Sequence, residues 1–407
     1  MKIIVIGAGI VGACCAHALV QDGHAVTIVD ERDPGDGCSY GNAGQINIGS
    51  TLPIALPGIL RSVPHWLIDP LGPVAVRWRY LPRALPWLIR WVRAARRSNA
   101  DHASLKLKAL SAPSLDLYRM MLGNEGFTSL IRTVGHLHVW ETPTPSPADR
   151  LADDMVAAKG IHPRPLTAGD IRDLEPALAP IYPRGLLFPD NGHTVNPQRL
   201  VRRLVQGCVE RGATLIKAPV MEIGPRNTSV LTATGPLTAD AVVIAAGAWS
   251  GQLVRRLGIK LPLETERGYH AMLPEPGVAL RVPVSNRQHH FVATPMEHGM
   301  RLAGTVELGG LKALPNFRRS AILIDHAKRM FPTLQSAQAS NWMGFRPSLP
   351  DSLPVIDRLP GAPALYAAFG HGHYGLSLSP MTGRLVADLI GGRQPGIDIA
   401  PFRLSRF

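Results

Sequence analysis

Ile3-Ile-Val-Ile-Gly-Ala-Gly-Ile-Val-Gly12 opens the chain, and Ala25-Val-Thr-Ile-Val-Asp30 follows it. Residues 3–6 are a β-branched apolar run that predicts a strand, residues 9–20 have helical composition, and residues 25–29 predict a second strand. Together they make a β-α-β unit of about thirty residues. At its first turn, Gly7 permits the sharp reversal, Gly9 lets the backbone approach a pyrophosphate, and Gly12 allows the helix to pack closely on the sheet. The helix N-terminus, at Ile10 and Val11, offers backbone N–H groups and a partial positive charge to phosphates. Asp30 ends the second strand eighteen residues past Gly12, with Glu31 next to it, where a carboxylate can accept hydrogen bonds from ribose hydroxyls. Strand, helix, second strand and acid are in register, so the stretch reads as a dinucleotide site.

The rest of the chain is consistent with a globular protein built around that site. Its 407 residues suffice for two domains sharing an interface, and 45% hydrophobic with 18% charged residues excludes a disordered chain. The four cysteines (Cys14, Cys15, Cys38, Cys208) form no CxxC pair, which excludes a zinc site and fits a reducing compartment. His289-His290 reads as part of a strand, where neighbours point to opposite faces, so no metal is expected there either. Residues 1–20 loosely resemble a signal peptide, but cleavage would destroy the glycine turn. Residues 37–60 carry no charge, yet their Gly, Pro, Asn and Ser content rules out a membrane-spanning helix. The expected location is the cytoplasm.

Further glycine-strand-helix elements appear in the middle and at the end. Residues 196–211 predict a helix with Pro197 at a favoured first position. Residues 241–246 predict a strand running into Gly247, and residues 364–369 another, followed by a glycine-rich loop and a helix starting at Ser379-Pro380. Residues 268–305 suggest several short strands. A nucleotide domain assembled from separated segments and interrupted by insertions explains this order.

Cys38-Ser-Tyr-Gly-Asn-Ala-Gly-Gln45 resembles the stretch after the second strand in FAD-dependent D-amino acid dehydrogenases, of the glycine oxidase and D-amino acid oxidase superfamily. There it runs beneath the flavin ring system. Val242-Val-Ile-Ala-Ala-Gly-Ala-Trp-Ser250 resembles the segment closing the adenine side, Gly344-Phe-Arg-Pro-Ser-Leu-Pro-Asp351 the arginine-proline-aspartate segment, and Gly370-His-Gly-His-Tyr-Gly375 the terminal loop over the flavin pyrimidine. The resemblance implies an α/β fold: a Rossmann-like, glutathione-reductase-like FAD-binding domain from residues 1–65, 160–255 and 335–407. A substrate domain of α+β type with an antiparallel sheet would take residues 66–159 and 256–334. It implies FAD contacts from Ser39, Asn42, Ala43, Gly44, Gln45, Val220, Ala246, Gly247, Trp249, Gly370, His371, Gly372, His373, Gly375 and Leu376. No cysteine follows Cys208, so a covalent link from the C-terminal part is impossible and FAD is expected to be non-covalent.

The activity implied is oxidation of a D-amino acid to an imino acid and thence a 2-oxo acid, by hydride transfer to flavin, with electrons passed to a quinone or other acceptor. The alternative is oxidation of a secondary amine or cyclic imino acid, of D-proline, hydroxyproline, sarcosine or glycine type. Such chemistry needs the carboxylate held and the Cα–H bond aimed, so positioning and electrostatics suffice. Arg346 is the expected carboxylate ligand, because a guanidinium matches two carboxylate oxygens. Tyr269, His270, His373 and Tyr374 are the other candidate pocket residues.

Between Arg61 and Lys108 stand ten Lys/Arg and two Asp, and residues 53–97 hold four of the seven tryptophans. Leu85, Leu88, Ile89 and Val92 share one helical face, with Arg90, Arg93 and Arg97 opposite. The composition suits a helical excursion covering the active site, or peripheral attachment to the inner face of the cell membrane. Nucleic acid is not an expected partner.

Overall fold

A computed structural model describes residues 1–58, 69, 71–224 and 228–407. Lys2–Ile6 lies inside a six-stranded sheet ordered Thr214–Lys217, Ala25–Asp30, Lys2–Ile6, Ala241–Ile244, Leu365–Phe369, Val355–Arg358. The first five strands run parallel and the last is antiparallel to its neighbour. Ile3 to Ile6 and Ala241 to Ile244 are all buried, which is why both read as unbroken apolar runs rather than alternating ones. The helix Ile10–Gln21 packs between the helices Pro197–Glu210 and Gly375–Ile390. Gly383 permits the second contact, since a Cβ there would be driven into the carbonyl of Cys14.

The second large sheet has nine strands. Its order is Ser340–Ser348, Glu264–Leu273, Gly299–Leu308, Phe291–Met296, Val284–Asn286, His136–Trp140, Arg184–Phe188, Arg164–Thr167, with Val74–Val76 joined to Gly299–Leu308. Most pairs are antiparallel; Val284–Asn286 with His136–Trp140 and Val74–Val76 with Gly299–Leu308 are parallel. The helix Arg318–Met330 lays Leu323, Ala327 and Met330 on the same core as Ala271, Phe291 and Leu302. Ser340–Ser348 belongs to the large sheet, although the next strand in the chain, Val355–Arg358, belongs to the parallel one.

Four local expectations are corrected. The last helix begins at Gly375, not at Ser379-Pro380, and carries Pro380 inside. Proline has no N–H for the carbonyl of Leu376 four residues back; the Tyr118 hydroxyl donates to that carbonyl instead, at 2.8 Å. The basic helix ends at Ala94, and Arg97 starts a new one, Arg97–Ser111. The basic helix, Leu81–Ala94, buries Ala84, Trp87 and Trp91, while Leu85 and Ile89 are 48% and 45% exposed. Burial of two indole rings, stacked at 6.0 Å, removes more apolar area than the aliphatic face offers. His289-His290 lies in a turn rather than a strand, and His289 stacks on His326 at 4.0 Å. Arg61 and Trp66 lie outside the described residues.

Residues 37–58 run as turns and the two-residue strand Gln45–Ile46, and no helix among the described residues is long and apolar enough to cross a membrane.

Candidate active site

A cavity of about 1750 Å³ runs from the glycine turn to the nine-stranded sheet. At one end the site is backbone. Gly7 has φ +114°, and a side chain on it would strike the carbonyl of Ala245 on the neighbouring strand. A Cβ at Gly12 would be driven into the carbonyl of Gly7. Gly9 caps the helix without a side-chain hydrogen bond, Ile10 and Val11 of the first turn line the cavity, and Ile10 N–H donates to Ser39 Oγ at 3.0 Å. The carboxylate of Asp30 accepts from Ala8 N–H at 2.7 Å and Arg32 N–H at 2.9 Å, which fixes it at the lip of the turn. Burial pushes its carboxyl up despite these bonds. This helix start and this anchored acid fit a pyrophosphate flanked by a ribose.

Next along the cavity, residues 38–45 are held from the large sheet. Thr294 Oγ1 donates to Ala43 O at 2.9 Å and accepts from Gln45 Nε2 at 2.9 Å. Arg301 Nη1 donates to Tyr40 O and Asn42 O at 2.9 and 2.6 Å. His270 Nδ1 lies 3.1 Å from Gly41 O, which accepts from it. Burial, with Arg301 nearby, pushes this imidazole down to about 3, so it stays neutral. Gly44, at φ +81°, is kept small by Thr194 O, 2.7 Å from where a Cβ would stand.

The far wall is made of charged side chains. On the paired strands Glu264–Leu273 and Ser340–Ser348, Arg346 stands opposite Glu266. Its guanidinium lies over Gly268, where any Cβ would displace it, and donates from Nη1 to Thr305 O at 3.2 Å. Burial lowers this cation's affinity for its proton, while Cys38 and Glu266 oppose that. His373 Nε2 sits 2.5 Å from Glu266 Oε2. Burial raises the Glu266 carboxyl, but His373, Arg346 and Ser348 outweigh it and hold the group below the usual carboxylate range. His371 is buried, with Nε2 2.9 Å from Thr382 Oγ1 and Nδ1 without a partner among the described residues; burial pushes it down to about 3. The Tyr374 hydroxyl donates to Leu52 O at 2.7 Å and ties one lining residue of the cavity to another.

Of the residues singled out from the sequence, Gly7, Gly9, Ile10, Val11, Asp30, Glu31, Ser39, Asn42, Ala43 and Gln45 line the cavity. So do Val220, Ala246, Gly247, Trp249, Tyr269, Arg346, His371, Gly372, His373, Tyr374, Gly375 and Leu376. Gly12, Gly44, His270 and Gly370 stand behind its wall. Tyr269 turns its hydroxyl to Glu307 Oε2 at 2.7 Å, inside a buried cluster with Arg267 and Arg77. The sequence flagged neither Glu266, Thr294 and Arg301, which brace the site, nor Arg287, which lines it. Each is a polar residue in a strand or turn whose importance comes from a partner far along the chain.

A family model described as FAD dependent oxidoreductase matches residues 2–389. A D-amino-acid oxidase of Bradyrhizobium diazoefficiens is 39% identical, over 100% of this chain and 98% of the relative. D-amino acid dehydrogenase 2 of Ralstonia nicotianae is 33% identical over 100% of both chains. Among solved structures, glycine oxidase from Geobacillus kaustophilus superposes with a TM-score of 0.71 at 24% identity, covering 100% of this chain and 99% of that one. L-proline dehydrogenase from P. horikoshii gives 0.74 at 19%, covering 100% and 97%; at these identities both speak for the fold alone. The glycine cradle, the parallel sheet drawn from three separated segments and this match along nearly the whole chain agree: the protein belongs to the FAD-dependent oxidoreductase family.

Proposed function

We propose that this enzyme oxidises a D-amino acid at its α-carbon. The observation that carries the reading is Arg346: a guanidinium on the cavity wall, cleared by Gly268, with most of its donor fork uncommitted among the described residues. Such a fork takes a carboxylate through two parallel hydrogen bonds. Oxidation of D-amino acids is also what the names of both relatives state. FAD, when bound, supplies the two-electron acceptor. The residues of this chain hold the carboxylate at Arg346, exclude water with residues 47–56 and Tyr374, and brace the loop of residues 38–45 from the large sheet. The test is an anaerobic screen of D- and L-amino acids, cyclic ones included, against the oxidised holoenzyme. Loss of the flavin absorbance with D-amino acids is expected; no loss with any of them sinks the reading.

The final acceptor of the electrons is proposed to be a quinone or similar carrier at a membrane. Trp78, Leu85 and Ile89 are exposed, and Arg79, Arg83, Arg90 and Arg93 surround them, which suits an anionic lipid surface. Sedimentation with anionic vesicles at low and high salt checks this, and salt-insensitive or absent binding removes it.

A further inference from the structure

Glu266 is a carboxylate buried to 3% exposure, and nothing in the amino-acid chemistry above requires an anion there. Its position is built from three directions. The strand Glu264–Leu273 carries it, Arg346 and Ser348 face it from the neighbouring strand, and His373 reaches it from the loop Gly372–Tyr374. That loop is pinned to the same strand by the bridge between Ser348 and His371. On its own strand, Glu264 is the other acid, and its oxygen is taken by the Tyr80 hydroxyl at 2.9 Å and Thr265 N–H at 2.7 Å. Glu266 is thus left to His373, Arg346 and Ser348.

A short contact between imidazole Nε2 and an ionised carboxylate requires that Nε2 carry the hydrogen, because the carboxylate can only accept. The second ring nitrogen, Nδ1, then holds a lone pair. His373 lines the cavity and its side chain is 29% exposed, against 3% for Glu266, so the ring is shared between the buried acid and the open space. We propose that Glu266 is a positioning residue that fixes the tautomer of His373 and makes Nδ1 the acceptor of the proton lost by the substrate's ammonium group. The proposal rests on the amino-acid reading for its substrate.

An α-amino acid reaches the enzyme as an ammonium, and its Cα–H bond is oxidised from the neutral amine. With the carboxylate on Arg346, the nitrogen lies one carbon away, and Arg346 and His373 flank the same acid. In the step, an N–H bond of the ammonium breaks and its electron pair stays on nitrogen. The proton bonds to Nδ1, and the imidazolium that results keeps its Nε2–H on Glu266, which remains ionised. The carboxylate stabilises that imidazolium.

The sign follows. Replacing the anion by a neutral amide keeps an acceptor for Nε2–H but removes the stabilisation of the cation, so His373 becomes a weaker base. In Glu266→Gln the acid limb of the anaerobic flavin-reduction rate with D-alanine should move to lower pH. Its plateau should fall by roughly tenfold or more. Glu266→Asp should retain the wild-type limb, and in His373→Asn the limb should move up toward the ionisation of the substrate's own amine. Nitrogen-15 NMR of the His373 ring should show the Nε2–H tautomer in the wild-type holoenzyme. A limb that stays in place in Glu266→Gln or in His373→Asn overturns the proposal, as does an Nδ1–H tautomer. If D-amino acids do not reduce the wild-type enzyme at all, the functional reading fails, and the NMR tautomer still decides the pairing.

Discussion

The two ends of the cavity hold their ligands by opposite means. At the glycine turn the protein offers main-chain N–H groups, and side chains are excluded: a Cβ at Gly7 or Gly12 collides with a carbonyl. At the far wall the backbone is spent on sheet pairing, and the side chains of Arg346, Glu266 and His373 are what the wall presents. A phosphate recognised by backbone tolerates no change of shape, since nothing there can rotate aside. A carboxylate recognised by long side chains tolerates shape changes better than charge changes. On the proposed reading, the first end holds the cofactor and the second acts on the substrate.

This contrast is open to attack at several points. The largest expected effect is at the turn: Gly12→Val should weaken FAD retention at least ~100-fold, the about 3 kcal/mol that overpacking a closed site costs. Flavin content after gel filtration, with circular dichroism to confirm folding, measures it; retained flavin would break the comparison. Arg346→Met should leave flavin content alone and lower kcat/KM for a D-amino acid roughly 30- to 100-fold, as expected for losing charge-assisted hydrogen bonds. Flavin loss in this variant would mean that the two ends are not separable.

A smaller effect concerns the residue that joins the two ends. His371 pairs with Thr382 of the C-terminal helix and bridges to Ser348 of the far wall. Burial pushes it down to about 3, whereas the unfolded chain titrates near 6.5. Between those values the unfolded state binds a proton that the native state refuses, so stability falls as pH drops through that window. His371→Asn should remove up to about 1.4 kcal/mol per pH unit of that slope, read from urea unfolding at pH 6, 5 and 4. His136 and His270, pushed down to about 3 as well, keep part of the slope in the variant. The smallest effect is at the seam. Thr294→Val removes the bonds to Ala43 O and Gln45, and should loosen FAD about fivefold, near 1 kcal/mol, without changing the substrate's KM. An altered KM with unchanged FAD affinity would place Thr294 with the far wall instead.

The resemblance carried more of the candidate site than periodicity did. Helical spacing of Leu85, Leu88, Ile89 and Val92 suggested an apolar face, yet Trp87 and Trp91 took the interior and left Leu85 and Ile89 outside. Composition placed a helix start at Ser379-Pro380, but the hydroxyl of Tyr118, some 260 residues away, satisfies the carbonyl that the proline leaves free and lets the helix begin at Gly375. Arg346 was readable from its neighbours in sequence; Glu266 was not, because a glutamate in a strand declares nothing until its partner is known.

From sequence alone came the first strand, helix and second strand, with their glycines and Asp30. Their geometry is local, and each residue type there is dictated by a turn or a close approach within thirty residues. Only the tertiary structure joined Glu266 to His373 across 107 positions, put Arg301 and Thr294 behind the loop of residues 38–45, and sent Ser340–Ser348 into the large sheet. Those pairings are set by strand register and burial between distant segments, and short-range spacing along the chain carries no record of them.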